Sequence, residues 1–272
     1  MSKVWFITGT SKGFGRAFVR SALERGDRVA ATARNTDSLS DFVDRYGEQI
    51  LALPLDVTDR DAAFAAVRAA HDKFGRLDVV VNNAGYALNG MFEELTPDQL
   101  RAQYETNVLG VLNVTQAALP IMREQRSGHI LQTSSYGGLV AYPALGAYNS
   151  SKWALEALTD SLSQEVAQFD IKVTLIEPAA FATDFYSGSA SYAEPIPAYD
   201  EFRSVLAEGY AAMALPEAVG FGSAILKLVD AENPPLRVFF GEFATQYVPA
   251  VYKERLDTWR DWHALALEAE GK

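Results

Sequence analysis

The sequence predicts an α/β fold in a single domain: a doubly wound parallel sheet of about seven strands, in the order 3-2-1-4-5-6-7, with helices on both faces. Three observations carry that expectation. Short apolar runs alternate with helical patterns of ten or more residues, as right-handed βαβ crossovers require. The first run feeds directly into a glycine turn that opens a helix. No linker, internal repeat or low-complexity tract divides the 272 residues, so residues 1–272 read as one unit.

Val4-Trp5-Phe6-Ile7 is apolar at successive positions, the pattern of a parallel strand covered on both faces. Phe14 to Arg25 then gives a helical pattern stopped by Gly26. Strand two is read at Arg28 to Ala33 and strand three at Ile50 to Leu55, with a helix from Asp37 to Tyr46 between them. A helix from Asp59 to Phe74 leads to strand four at Leu77 to Val81. The second half continues with helical sequence from Pro97 to Arg123, strand five at His129 to Thr133, a helix from Tyr148 to Gln168 and strand six at Lys172 to Ile176. Residues 179–215 break the rhythm with Ala, Ser, Pro and aromatics and read as a lid. A helix near Pro216 to Val229 and a strand at Arg237 to Phe240 close the sheet, and residues 241–272 add an aromatic tail.

Acidic residues outnumber basic ones by 35 to 24, a net charge of −11 that repels nucleic acid and anionic lipid. Any anionic ligand must therefore be held by local groups. Cysteine is absent, which excludes disulfides and thiolate chemistry and fits a reducing compartment. The first strand begins near Lys3, and no apolar run approaches the roughly 20 residues of a membrane span, so a soluble, cytoplasmic protein is expected. His71, His129 and His263 lie far apart without metal-ligand spacing, and no catalytic metal is expected. The absence of a Gly-x-Ser-x-Gly elbow disfavours a serine hydrolase.

In the turn Thr8-Gly9-Thr10-Ser11-Lys12-Gly13-Phe14-Gly15, the three glycines let the backbone bend sharply and approach a pyrophosphate at the helix N-terminus, as in Rossmann-type sheets. The spacing is Gly-x3-Gly-x-Gly, not the common dinucleotide Gly-x-Gly-x-x-Gly. At the end of strand two, where a carboxylate would accept from the ribose of NAD, stands Arg34. A guanidinium binds a 2′-phosphate bidentately and Lys12 adds a second positive charge, so NADP(H) is expected in preference to NAD(H).

With Asp56-Val57, Asn82-Asn83-Ala84-Gly85, Asn107, Ser135, Tyr148-x3-Lys152 and Pro178 with Thr183 following that turn in order, the chain resembles the short-chain dehydrogenase/reductase family, in its branch of approximately 250 residues, from about Lys3 to Phe240. The resemblance implies Asn107, Ser135, Tyr148 and Lys152 as the catalytic set. It implies cofactor contacts from Gly9, Ser11, Lys12, Gly13, Phe14, Gly15, Arg34, Asp56, Val57, Asn83, Ala84, Gly85, Tyr148, Lys152, Pro178 and Thr183. It also implies a homodimer or homotetramer built on the helices that carry Asn107 and Tyr148. The family's Pro-Gly after strand six is Pro178-Ala179 here, which sets a methyl group beside the nicotinamide and the lid.

The chemistry follows from the residues themselves. Hydride addition to a carbonyl creates an alkoxide that needs a proton, and Tyr148 can supply it if its pKa is drawn down from about 10. Lys152, one helical turn away, favours the phenolate by its charge. Ser135 can hold the substrate oxygen near Tyr148, and Asn107 can hold a water that relays a proton through Lys152. Tyr86, Leu88, Met91, Phe92, Leu139, Tyr142, Phe181, Phe185, Tyr186, Tyr192 and Tyr199 are candidate pocket walls, and their apolar character predicts a hydrophobic ketone or aldehyde interconverted with its alcohol. Two alternatives share the fold: a family epimerase or dehydratase, and an NADP-sensing regulator without turnover.

Overall fold

The computed structural model describes residues 2–182 and 190–272. Strand β1 (Val4–Ile7) lies at the middle of the sheet, with all four residues buried. It pairs in parallel with β2 (Arg28–Ala33) on one side and β4 (Val79–Asn82) on the other. β3 (Ile50–Pro54) extends the first edge. On the other side follow β6 (Gly128–Thr133), β7 (Ile171–Pro178) and β9 (Arg237–Phe240), giving the order β3-β2-β1-β4-β6-β7-β9. The seven strands thus follow the predicted order, because the two remaining strands, β5 (Leu88–Asn89) and β8 (Ser191–Tyr192), form a separate two-stranded sheet.

Alternate residues of β1 feed two cores. Trp5 and Ile7 pack with Phe18 and Val19 of α1 (Gly13–Glu24), Phe42 of α2 (Ser40–Tyr46) and Ile225 of α8 (Phe221–Asp230). Val4 and Phe6 face Val67 of α3 (Arg60–Phe74), Val114 of α5 (Gly110–Gln125) and Val166 of α6 (Gly146–Val166). Both faces of the strand are therefore apolar, which is why its sequence does not alternate. Polar groups set the register at the strand's start: Asp78 accepts from the Val4 N–H at 2.8 Å, and Asp27 accepts from the Lys3 N–H at 2.9 Å and the Trp5 indole at 2.8 Å.

The stretch expected as one helix from Pro97 to Arg123 divides into α4 (Pro97–Tyr104), a π-helical turn at Glu105–Leu109, and α5. Thr96 and Gln99 form a capping box at its start, where Pro97 occupies the first turn. The helix expected from Pro216 begins at Phe221, because Pro216 and Glu217 pair with the chain at Ala182. Within the lid, α7 (Asp200–Ala211) is tethered by Glu94. That buried carboxylate accepts from the Ile196 N–H at 2.8 Å and from Arg203 at 2.7 Å, and these partners hold it down to about 2. The tail, to which the sequence assigned no element, is helical: α9 (Glu242–Asp261) and α10 (His263–Ala269). Arg255 fastens α9 to the body by donating to the Leu139 carbonyl at 2.9 Å.

Strands β1 and β4 are neighbours whose chains wind outward in opposite directions, so their C-terminal ends open the crevice in which doubly wound sheets bind ligands.

Candidate active site

A cleft of about 600 Å³ runs across those strand ends. At one end lies the turn from Gly9 to Gly13. Both glycines take left-handed backbone angles, φ +68° and +57°, which L side chains rarely adopt. Thr8 and Asn83 brace the turn from beneath: the Thr8 hydroxyl accepts from the Asn83 N–H at 2.9 Å and the Ala84 N–H at 3.0 Å, and the Asn83 amide donates to the Thr8 and Gly9 carbonyls at 3.0 Å. Beyond the turn, α1 begins without a side-chain cap. Lys12, Gly13 and Phe14 at its start line the cleft, and the first turn of a helix favours an anion.

Two cations flank this end. Lys12 is half-buried and Arg34 exposed, both line the cleft, and neither joins an ion pair among the described residues. Arg16, by contrast, is committed to Asp41 and the Ser38 carbonyl. An uncapped helix start, a glycine at position 13 with no atom within 4 Å of a would-be methyl, and two cations outside any ion pair among the described residues together fit the phosphates of a dinucleotide. Farther along, Asp56, Val57, Asn83, Ala84 and Gly85 line the wall, and Pro178 lines the cleft near its far end.

At that far end three side chains from two elements converge. Ser135 follows β6, and Tyr148 and Lys152 stand one turn apart on α6. All three are largely buried. The Ser135 hydroxyl is hydrogen-bonded to the Tyr148 phenol. The Lys152 ammonium donates to the Thr133 carbonyl at 2.7 Å and lies 5.8 Å from the centre of the Tyr148 ring. Burial, opposed by the Ser135 hydrogen bond, pushes Tyr148 up to about 12, and burial draws Lys152 down to about 8 against the charge of Glu156. With Lys152 one turn away, the phenol still stands above its ordinary value, and Tyr148 carries its proton at neutral pH.

Three further expectations need correction. The Asn107 side chain does not face the cleft; its carbonyl accepts from the Tyr86 N–H at 3.2 Å and its amide donates to the Tyr86 carbonyl and Ser151 hydroxyl, each at 3.1 Å. With both amide donors used, that side chain holds the wall in place. Gly15 lies outside the cleft lining: a Cβ there would sit 2.5 Å from the Asn83 amide nitrogen and closer still to the Gly9 carbonyl oxygen, so its role is to let α1 approach the turn. Phe14 reaches the cleft, but its ring stacks on Phe221 with centroids 4.0 Å apart and belongs to the packing beneath. Thr183, Phe185 and Tyr186 lie outside the described residues.

Of the candidate pocket walls, Tyr86, Tyr142 and Phe181 line the cleft. Leu88 and Met91 are buried beneath it, Phe92 and Tyr192 point to solvent, and the Tyr199 hydroxyl donates to Glu93. Sequence reasoning missed Tyr136 and Tyr210, which complete the wall, and Ser151, whose hydroxyl accepts from Asn107 and donates to the Tyr148 carbonyl at 2.7 Å. Tyr136 and Tyr142 pack at 4.9 Å and are covered by Phe243 and Tyr247 of α9. Burial raises both phenols.

A family model described as short chain dehydrogenase matches residues 3–192. The chain belongs to the short-chain dehydrogenase family. It is 39% identical over 273 residues to Oxidoreductase BOA17 of Botryotinia fuckeliana, covering 98% of this chain and 99% of that protein. It is 34% identical to the NADPH-dependent 3-dehydrocapnine reductase of Ornithobacterium rhinotracheale, over 70% of this chain and 69% of that one. A crystal structure of a short-chain dehydrogenase from Streptomyces avermitilis superposes with a TM-score of 0.92 at 37% identity, covering 98% of this chain and 99% of that one. The chain is accordingly an oxidoreductase of the nicotinamide-dependent type. Among the described residues, no helix is long and apolar enough to cross a membrane and no cluster of side chains could hold a metal.

Proposed function

We propose that this oxidoreductase is an NADP(H)-dependent ketoreductase acting on a hydrophobic ketone or aldehyde, with Tyr148 as general acid. The convergence of Ser135, Tyr148 and Lys152 at one end of a cleft whose other end is a glycine turn flanked by free cations carries this reading. The nicotinamide, when bound, supplies the hydride. Gly9, Gly13 and the start of α1 receive the pyrophosphate, and Lys12 and Arg34 the 2′-phosphate. The Ser135 hydroxyl orients the carbonyl oxygen, and Tyr148 donates its proton to that oxygen as it gains negative charge. Lys152 then stabilises the phenolate that remains, within a pocket whose low dielectric strengthens the attraction between the two charges.

Tyr136, Tyr142, Phe181 and Tyr210 present an aromatic, uncharged wall, which supports a hydrophobic substrate. The NADPH-dependent relative supports the cofactor assignment. Exposed Leu109, Leu112, Trp153 and Leu158 on and beside α5 and α6 support a homo-oligomer assembled through those helices.

The test follows NADPH and NADH consumption against a panel of hydrophobic ketones, with Tyr148→Phe alongside. Turnover with NADPH that Tyr148→Phe lowers at least 100-fold while cofactor binding persists is the expected result. Tight NADPH binding without turnover on any ketone would instead favour a cofactor-sensing regulator, and preference for NADH would refute the role given to Arg34.

A further inference from the structure

Behind the Tyr148–Lys152 pair lies a buried acidic cluster that the proposed chemistry leaves unused. Tyr148, Lys152 and Glu156 stand at successive four-residue steps of α6, in one line along the helix. All three are largely buried, Glu156 at 5% exposure. Glu156 accepts from Arg237 of β9 at 2.9 Å, and the same guanidinium donates to the half-exposed Asp160 at 2.9 Å. Glu177 of β7, at 0% exposure, is 3.8 Å from Arg237, and neither of its oxygens has a hydrogen-bond partner among the described residues.

One guanidinium cannot neutralise three carboxylates, and the least solvated of them is the one that keeps its proton. Glu177 has no hydrogen bond to stabilise a charge; burial and the neighbouring Glu156 push it up to about 8. Burial raises Glu156 as well, but a charge-assisted bond to Arg237 and Lys152 one turn away oppose that, so of the two it is the carboxyl that ionises first. With Glu177 neutral, Lys152 and Arg237 balance Glu156 and Asp160.

We propose that Glu156 is the buried counter-charge of Lys152, a positioning residue that fixes the pH range over which the Tyr148–Lys152 pair holds its proton, while Glu177 stays protonated at neutral pH and contributes no charge there. The inference rests on the roles proposed above for Tyr148 and Lys152. Which of the two gives up the first proton is immaterial. Either loss takes the pair from a charge of +1 to 0, and a nearby carboxylate favours the +1 state. Removing the carboxylate must move that loss to lower pH. The groups facing the cluster are Lys152 and Asp160 from α6, Glu177 from β7, Arg237 from β9 and the Ser134 hydroxyl after β6.

The experiment is a pH titration by NMR of the full-length protein labelled with ¹³C at lysine Cε, with Lys152→Met identifying the Lys152 resonance. Glu156→Gln is expected to lower the Lys152 midpoint by about one pH unit or more. Glu156→Asp, which keeps the charge but withdraws it by one methylene, should move it the same way by less, and preserves the test if the Gln variant does not fold. Glu177→Gln should move the midpoint by less than Glu156→Gln, because Glu177, raised to about 8, still holds much of its proton where Lys152 titrates. A midpoint unmoved in both Glu156 variants, or moved as far by Glu177→Gln as by Glu156→Gln, would overturn the proposal. The readout needs no substrate, so it stands apart from the catalytic reading, which fails separately if Tyr148→Phe retains turnover.

Discussion

Two glycines of one turn should respond to the same substitution with opposite signatures. In Gly15→Ala the new methyl carbon falls 2.5 Å from the Asn83 amide nitrogen and closer still to the Gly9 carbonyl oxygen. The Asn83 amide holds the turn through two hydrogen bonds of 3.0 Å, and it cannot withdraw without losing them. Two lost hydrogen bonds cost about 1–3 kcal/mol together. Forced displacement of packed atoms adds about 1–3 kcal/mol. The expected destabilisation of about 2–6 kcal/mol lowers Tm by roughly 5–20 °C in a chain of this size. In Gly13→Ala the methyl meets no atom within 4 Å, and the cost is that of a left-handed alanine at φ +57°, about 1–2 kcal/mol. That methyl enters the cleft where the proposed pyrophosphate sits. Calorimetry with and without NADPH separates the two: Gly15→Ala should lower Tm sharply in the free protein, whereas Gly13→Ala should lower it by only a few degrees but lose most of the stabilisation by cofactor. Equal Tm losses in the two variants, or an unperturbed Gly15→Ala, would refute the assignment of one glycine to packing and the other to the ligand.

Arg34→Asp should reverse the preference between NADPH and NADH, measured as the ratio of dissociation constants, and the wild-type preference should weaken as salt rises because the guanidinium is exposed. Asn107→Ala strands the Tyr86 N–H and takes one of two partners from the Tyr86 carbonyl, which keeps Gln103, and from the Ser151 hydroxyl, which keeps the Tyr148 carbonyl, so thermal unfolding should show a loss of about 1–3 kcal/mol, with stability and turnover falling together. Two buried groups on adjacent strands act oppositely on stability with pH. Burial lowers His129 to about 3, so its contribution is present above about 6.5 and is lost as pH falls toward 3; burial raises Glu177 to about 8, so its contribution is present below about 4.5 and is lost as pH climbs through 8. Between pH 4.5 and 6.5 their slopes, each at most about 1.4 kcal/mol per pH unit, oppose one another. Denaturant titrations should therefore show stability rising with pH more steeply in Glu177→Gln, and falling with pH in His129→Asn.

What the sequence disclosed and what it withheld divide along a physical line. Val4 to Ile7 declared a central strand because burial on both faces leaves an unbroken apolar run, and Tyr148 and Lys152 declared a shared helix face because four residues make one turn. Local periodicity suffices for both. The tail resisted because Pro249 lies inside α9 and many of its large side chains remain exposed, so no clean apolar stripe marks the helix. Asn107 read as catalytic because its position was legible while the direction of its side chain was not; that direction is set by a π-helical turn and by Ser151, 44 residues away. Arg237 meets Glu156 across 81 residues, a pairing that only the finished sheet creates. The same division explains the phenol. Sequence supplies the charge next to Tyr148, because Lys152 is its helical neighbour, but the desolvation that opposes this charge comes from whatever covers the helix. Here that cover includes Tyr136 and Tyr142, themselves overlain by α9. A local charge can be read from spacing, whereas a dielectric belongs to the assembled fold, and at Tyr148 the fold outweighs the neighbour.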